Sequence, residues 1–191
     1  MQWVGGPKYS RHHDTASSVP AVVSDAGRLF YFVDLGPRAS ILWDADWHVV
    51  ARDAYNGVIL WQRKISQWTD QLWPLKSGPA NVPRRLVAAN DAVYVTLGLL
   101  EPVSKLDPAT GATVRTYTGT EKTEEILFDS GVLYLVVNPT IDVKQRGGTW
   151  SRTPKHVMAV CESDGTILWK KTLPWVAPVT LTLGDDNVYL C

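Results

Sequence analysis

The sequence predicts an all-β fold of repeated four-stranded antiparallel units, on three observations. The segments Asp53-Ala-Tyr-Asn-Gly57-Val-Ile-Leu-Trp61, Asp107-Pro-Ala-Thr-Gly111-Ala-Thr-Val-Arg115 and Cys161-Glu-Ser-Asp-Gly165-Thr-Ile-Leu-Trp169 share one pattern, and their glycines are 54 residues apart in both intervals. Before each of them lie apolar runs rich in Val, Leu and aromatic residues, broken by Asn, Asp and Gly turns. No stretch holds an i, i+3, i+4, i+7 apolar pattern for three helical turns. A long fixed period of strand, glycine turn and strand is the mark of β-propeller blades.

Each unit opens on a hairpin. The first reads Ala21-Val-Val-Ser-Asp25-Ala-Gly27-Arg-Leu-Phe30-Tyr-Phe-Val33, the second Arg85-Leu-Val-Ala-Ala-Asn90-Asp91-Ala-Val-Tyr94-Val-Thr-Leu97, and the third Ile126-Leu-Phe-Asp129-Ser-Gly131-Val-Leu-Tyr134-Leu-Val-Val137. Asn-Asp and Asp-Ser-Gly suit such turns because these residues tolerate positive φ. Third strands follow at His48–Arg52, Val103–Leu106 and His156–Val160, and the Asp-x-x-x-Gly turn then leads into a fourth. Asp accepts hydrogen bonds from the turn's own N–H groups, and Gly supplies the left-handed position. Trp61 and Trp169 close the fourth strand, where a large ring packs on the next blade; Arg115 takes that place in the second unit, which predicts weaker packing there. A fourth unit begins at Val179-Thr-Leu-Thr-Leu-Gly-Asp185-Asp186-Asn-Val-Tyr189. The expectation is an incomplete β-propeller, an open arc of about three and a half blades: a lead-in over 1–19, then blade one 20–66, blade two 84–120, blade three 124–174 and the start of blade four 178–191.

Composition narrows the function classes. The chain has 191 residues, 45% hydrophobic and 20% charged, with 19 Lys+Arg against 19 Asp+Glu. A chain of zero net charge has no global field for a polyanion, which argues against a dedicated nucleic-acid binder. No apolar run is long enough to span a bilayer as a helix. The opening Met1-Gln-Trp-Val-Gly-Gly-Pro lacks the basic and apolar regions of a signal peptide. Cys161 and Cys191 are too few and too far apart to be read as a disulfide framework.

The pattern V-V-x-D-x-x-L-Y followed by A-x-D-A-x-x-G-x-x-L-W resembles the pyrroloquinoline-quinone-type propeller repeat over most of residues 20–191. That repeat occurs in quinoprotein alcohol dehydrogenases and in the outer-membrane assembly lipoprotein that carries no cofactor. Gln2-Trp3-Val4-Gly5-Gly6-Pro7 with Arg11-His12-His13-Asp14 also resembles the lead-in of large quinoprotein-like propeller proteins of planctomycete-type bacteria. The resemblance implies an extracytoplasmic location. In the enzymes it implies a quinone held between a tryptophan and an adjacent-cysteine disulfide, over a calcium ion. Here no two cysteines are adjacent and no calcium loop of alternating acidic ligands occurs. The sequence therefore supports no cofactor; pyrroloquinoline quinone with calcium belongs only to an alternative reading, in which the chain is part of an oxidoreductase whose chemistry lies in further blades.

Up-and-down topology places the connections 34–46, 66–84 and 138–154 on one face, and extended loops tend to carry function. Those loops hold Trp43, Trp68, Trp73 and Trp150, with Lys76 and Arg152 beside them. Aromatic and cationic side chains of this kind suit a binding surface, while the same tryptophans also serve to pin long loops from within. These six are the candidate partner-binding residues, with a protein or a carbohydrate as the partner; the remaining blades of a longer propeller would be its other neighbours. His12-His13-Asp14 reads as a solvated lead-in, because adjacent histidines on an extended segment point apart. His48 and His156 occupy like places in the repeat and are not read as ligands. Glu121, Glu124 and Glu125 around Lys122 read as a solvated loop between blades. Nucleophile-elbow, phosphate-loop and dinucleotide patterns are missing, so no catalytic, cofactor-binding or metal-binding residue is assigned. The reading is a non-enzymatic binding or scaffold propeller acting through its long-loop face.

Overall fold

In the first sheet, β1 (Val22–Asp25), β2 (Arg28–Asp34), β3 (Trp47–Asp53) and β4 (Ile59–Lys64) pair antiparallel in chain order. The computed structural model describes residues 3, 19, 21–36, 45–66, 82–141, 152–185 and 187–191. A 3-10 turn at Val82–Arg85 leads into the second sheet, β5 (Leu86–Ala88), β6 (Val93–Thr96), β7 (Val103–Leu106) and β8 (Thr113–Thr116). The third holds β9 (Thr123–Asp129), β10 (Val132–Val137), β11 (Lys155–Cys161) and β12 (Ile167–Leu173). A two-stranded sheet, β13 (Thr182–Gly184) and β14 (Asn187–Tyr189), follows. The fold is all-β, an unclosed succession of propeller blades, and that helical turn is the only helix among the described residues. First strands touch first strands, β1 with β5 and β5 with β9, so the inner edges of the blades are neighbours.

Strand alternation divides each blade's side chains between its two neighbours. Phe30, Phe32, Val49, Ala51 and Trp61 of blade one meet Leu86, Val93, Val95 and Leu106 of blade two. The opposite side of blade two puts Tyr94 and Tyr117 against Ile126, Leu133, Leu135, Met158 and Val160 of blade three. Blade three then turns Leu127, Tyr134, Val136, Val157, Trp169 and Leu173 toward Leu181, Val188 and Leu190. The register repeats: Phe30 pairs with Ala51 and Ala51 with Trp61, just as Tyr134 pairs with Ala159 and Ala159 with Trp169.

Each β3–β4-type pairing carries a bulge at the same place, beside Arg52, Leu106 and Val160. The residue each bulge skips, Leu60, Val114 or Leu168, is exposed. A bulge accentuates the local twist, and here it sits immediately before the Trp61, Arg115 and Trp169 positions. The pattern of apolar letters gives no sign of it.

Short turns gather at one end of the blades. The Asp53–Gly57 turn is seated on the first hairpin turn by Ala54 N–H donating to Gly27 O at 2.9 Å, and Glu162 N–H to Gly131 O repeats the bond at 2.9 Å. Asp53 Oδ1 accepts from Tyr55 and Asn56 N–H, and Asp107 Oδ1 from Ala109 and Thr110 N–H. The Thr110 hydroxyl and amide hold the Asp107 carboxyl below the usual range.

Candidate binding face and the junctions that support it

The opposite end carries the long connections. Polar groups hold their stems, two of them, Asp34 and Asn138, buried. Asp34, nearly fully buried, accepts at Oδ1 from Gly36 N–H (2.8 Å) and Asp46 N–H (2.9 Å), closing the neck of the 34–46 loop. Asn138, four residues after Tyr134 as Asp34 is four after Phe30, accepts from Thr140 N–H and the Thr140 hydroxyl. Thr140 and Thr153 hydroxyls meet at 3.0 Å across the base of the 138–154 loop. The 66–84 connection leaves at Ser66, whose N–H donates to Leu97 O at 2.9 Å.

Beneath this face lies a charged cluster. Lys155 is 1% exposed and Glu124 2% exposed, and the ammonium bonds the carboxylate directly. Asn138 Nδ2 donates to the other Glu124 oxygen at 2.8 Å. Arg85 is fully buried beside them and donates from Nη1 to Leu99 O; desolvation pulls its pKa down to about 10, against the pull of Glu124 in the other direction. Glu125 turns to the opposite side of the blade and accepts from Val179 N–H (2.7 Å) and Leu181 N–H (3.2 Å). Burial raises its pKa, with those two N–H groups opposing. Strand alternation makes the division, and at the same point the register shifts: Val136 pairs with Glu125 and Val137 with Thr123, leaving Glu124 as the extra residue of a bulge.

This corrects the reading of Glu124 and Glu125 as a solvated loop. Both are in strand β9 and buried, and their charges are met by Lys155 and by backbone donors. Lys122, with φ of 65°, donates to Pro139 O and so ties the start of β9 to the end of β10.

Of the six candidate residues, Trp43, Trp68, Trp73, Lys76 and Trp150 lie outside the described residues. Arg152 is described, exposed, and places its guanidinium 5.8 Å from the ring centre of Trp175. Trp175 is itself exposed and belongs to the segment between blades three and four. Sequence reasoning passed over it because it stands in a short connection. Arg84 donates to Val179 O at 3.1 Å, which brings the entry to blade two beside the same segment. His12-His13-Asp14 is likewise outside the described residues. His48 contacts Asp46, and His156 bonds the Thr172 hydroxyl.

Among the described residues no three His, Cys, Asp or Glu side chains come together as an ion site. Cys161 and Cys191 are separate free thiols, the first half-buried and the second exposed.

The junctions between blades follow one rule. Trp61 Nε1–H donates to Pro108 O at 2.9 Å, and Arg63 Nη1 donates to Gly111 O and the Thr113 hydroxyl. Trp3 Nε1–H donates to Ala54 O at 3.0 Å. At the second junction Tyr117 O–H donates to Glu162 O at 2.9 Å and Arg115 Nη1 to Asp164 O. The acceptors Ala54, Pro108 and Glu162 each follow the first residue of the turn. Where Arg115 replaces the tryptophan, Tyr117 supplies the aromatic surface and Lys105 reaches across to the Glu162 carboxylate. Burial pushes the Tyr117 hydroxyl up to about 12, helped by the nearby Glu162 charge.

The hydrogen bond from Lys105 lowers the Glu162 pKa. A depressed folded-state pKa contributes stability that is present above the unfolded value, near 4.3 for glutamate, and is lost as pH falls through the folded value. Acid is therefore expected to loosen the second junction below about pH 4. Glu162→Gln should flatten that acid limb in urea melts run from pH 3 to 7; an unchanged limb would show that the junction does not titrate through this pair.

No protein-family model matches the chain, and no curated protein matches it significantly. Solved structures do. The computationally designed Ika4 protein aligns with a TM-score of 0.56 at 12% identity, over 98% of this chain and 92% of that one. BamB from Moraxella catarrhalis aligns at 0.53 and 16%, over 90% of this chain and 43% of its own. A europium-containing methanol dehydrogenase aligns at 0.52 and 16%, over 86% and 26%. The chain thus spans less than half the length of either of the last two, both β-propellers. At these identities the likeness is one of fold, and it joins this chain to the β-propellers.

Proposed function

We propose that the chain is a non-enzymatic binding or scaffold propeller, extracytoplasmic, that contacts a protein or a carbohydrate through its long-loop face. The observation that carries this is the asymmetry of the two ends. One is closed by tight turns seated on one another. The other bears long connections whose necks are held by Asp34, Asn138 and Thr140, with the exposed Arg152–Trp175 pair beside them. Rigid stems under long loops lower the entropy lost on binding. An exposed ring under a guanidinium offers flat apolar area with forked donors, suited to a carboxylate-bearing peptide or to a sugar ring. The repeat resemblance supports the location. No helix among the described residues is long and apolar enough to cross a membrane.

The test pairs capture from source-cell extract with a glycan array, using Trp175→Ala, Arg152→Ala and the turn-face control Thr110→Ala. Either long-loop-face change should weaken a captured partner by about 1–2 kcal/mol, and the control should be neutral. Capture that survives both changes and fails in the control would put the binding face at the wrong end.

A further inference from the structure

We infer that Arg152 and Trp175 together recognise one ionised carboxylate, the Asp or Glu of a peptide segment whose neighbouring residue is apolar. This rests on the long-loop-face reading above and names the chemistry of the partner at that face.

The Arg152 guanidinium lies over the Trp175 ring, its central carbon 5.8 Å from the ring centre. Stacking of this kind orients the guanidinium and uses none of its N–H donors. Arg152 is exposed, and among the described residues no oxygen accepts from it. A guanidinium held in this way offers its fork to solvent, and a carboxylate matches that fork with two parallel bonds.

The chain's own carboxylates in this corner do not compete. Glu124 is engaged by Lys155 and Asn138, and Glu125 by the Val179 and Leu181 N–H groups. Both are buried. At the other end of the blades the balance is reversed. Asp25, Asp53, Asp107 and Asp164 accept from backbone N–H groups in the turns there. An acidic partner is repelled from that end and admitted at this one.

The segment that carries the ring is held in a strained form. Val179 takes a φ of 58°, a region that a β-branched side chain rarely enters. Its N–H donates to Glu125 at 2.7 Å, and its carbonyl accepts from Arg84 at 3.1 Å. Leu181 N–H donates to the other oxygen of the same carboxylate. Strain persists only where the surroundings over-determine it, and it clusters at ligand clamps. Ala21 and Arg85 stand at the register position of Glu125 in blades one and two. The hold on this segment is therefore no part of the repeated blade contact.

The rest of the ring decides between a peptide and a sugar. One face lies under the guanidinium, which removes area that a sugar would stack on. The apolar surface left on the segment is Pro174, the uncovered part of the ring and Val179, all exposed. That strip suits one apolar side chain beside the carboxylate.

The probe is the blocked peptide acetyl-Gly-Leu-Glu-Leu-Gly-amide, titrated into the chain and read at the Trp175 indole N–H and Arg152 Nε–H resonances. Saturable shifts at both are expected, with the Gln counterpart of the peptide binding about fivefold more weakly. Arg152→Gln, a surface change, should abolish the difference between the two peptides. Arg152→Lys should restore only part of it, since it keeps the charge and loses the fork. Equal binding of the Glu and Gln peptides, or no saturable shift, would overturn the inference. Tighter binding of a galacturonic acid trimer than of the Glu peptide would overturn the choice of a peptide. Capture from extract that Trp175→Ala weakens and Arg152→Gln leaves intact would overturn the carboxylate while the long-loop face stands. Capture lost in Thr110→Ala alone would instead remove that face.

Discussion

Lys155→Met is expected to destabilise the protein by about 3–5 kcal/mol, because it strands the Glu124 carboxylate in the interior without its closest cation. Both side chains are almost wholly buried, so solvent screening does not rescue the survivor. Asn138 keeps one hydrogen bond to Glu124 and Arg85 contributes through space. Neither replaces the lost ammonium. The companion variant Glu124→Gln in the Lys155→Met background should recover most of the loss, since a neutral amide retains the shape and an acceptor for Asn138. Urea melts of the two single variants and the double one, read as a mutant cycle, give the coupling. A Lys155→Met loss under about 1 kcal/mol would mean that water reaches Glu124.

Trp61→Ala is the second large effect, expected to cost about 3–5 kcal/mol. The ring is 8% exposed, packs 6.0 Å from Phe30, and bonds Pro108 O through its indole N–H. Its loss leaves a cavity between two blades and removes a bond that spans the junction. The matching change across the junction is Gly111→Ala. There φ is +72°, a backbone region that favours glycine, and an added Cβ would meet the Trp61 ring. The double variant should cost less than the sum of the singles, because once the indole is gone the added methyl has room and only the backbone penalty remains. Additive losses would show that the ring and the glycine act independently.

The parts of the fold that were legible in the sequence are those fixed by short-range chemistry. Gly57, Gly111 and Gly165 all take positive φ, and Asp-Ala-Gly at 25–27 and Asp-Ser-Gly at 129–131 turn the chain in hairpins, as their residue types require. Glu124 and Glu125 were misread because acidic residues around a lysine look the same in solvent as in a strand covered on both faces. Only the partner Lys155, a loop away in sequence, distinguishes the two cases. Arg115 predicted a weaker junction, but the sequence could not show Tyr117 and Lys105 converging on the Glu162 backbone and carboxylate. Trp3 was hidden for a simpler reason: a single ring ahead of the repeat gives no register. Loop length and topology put the stems of the three long connections at one end of the blades; of the six chosen side chains only Arg152 falls on described residues, and its ring partner Trp175 stands in a connection too short to draw notice.

The blade junctions have a consequence for how such a chain diverges. The receiving partner is a main-chain carbonyl three residues before the turn glycine, so the side chain on that residue is free to change: the acceptors are Ala54, Pro108 and Glu162 in the three units. Even the donor has changed hands, from tryptophan to tyrosine. The contact itself needs little more than one glycine and one ring in each unit. Lineages built this way can lose nearly all recognisable kinship in their sequences while their blades continue to stack.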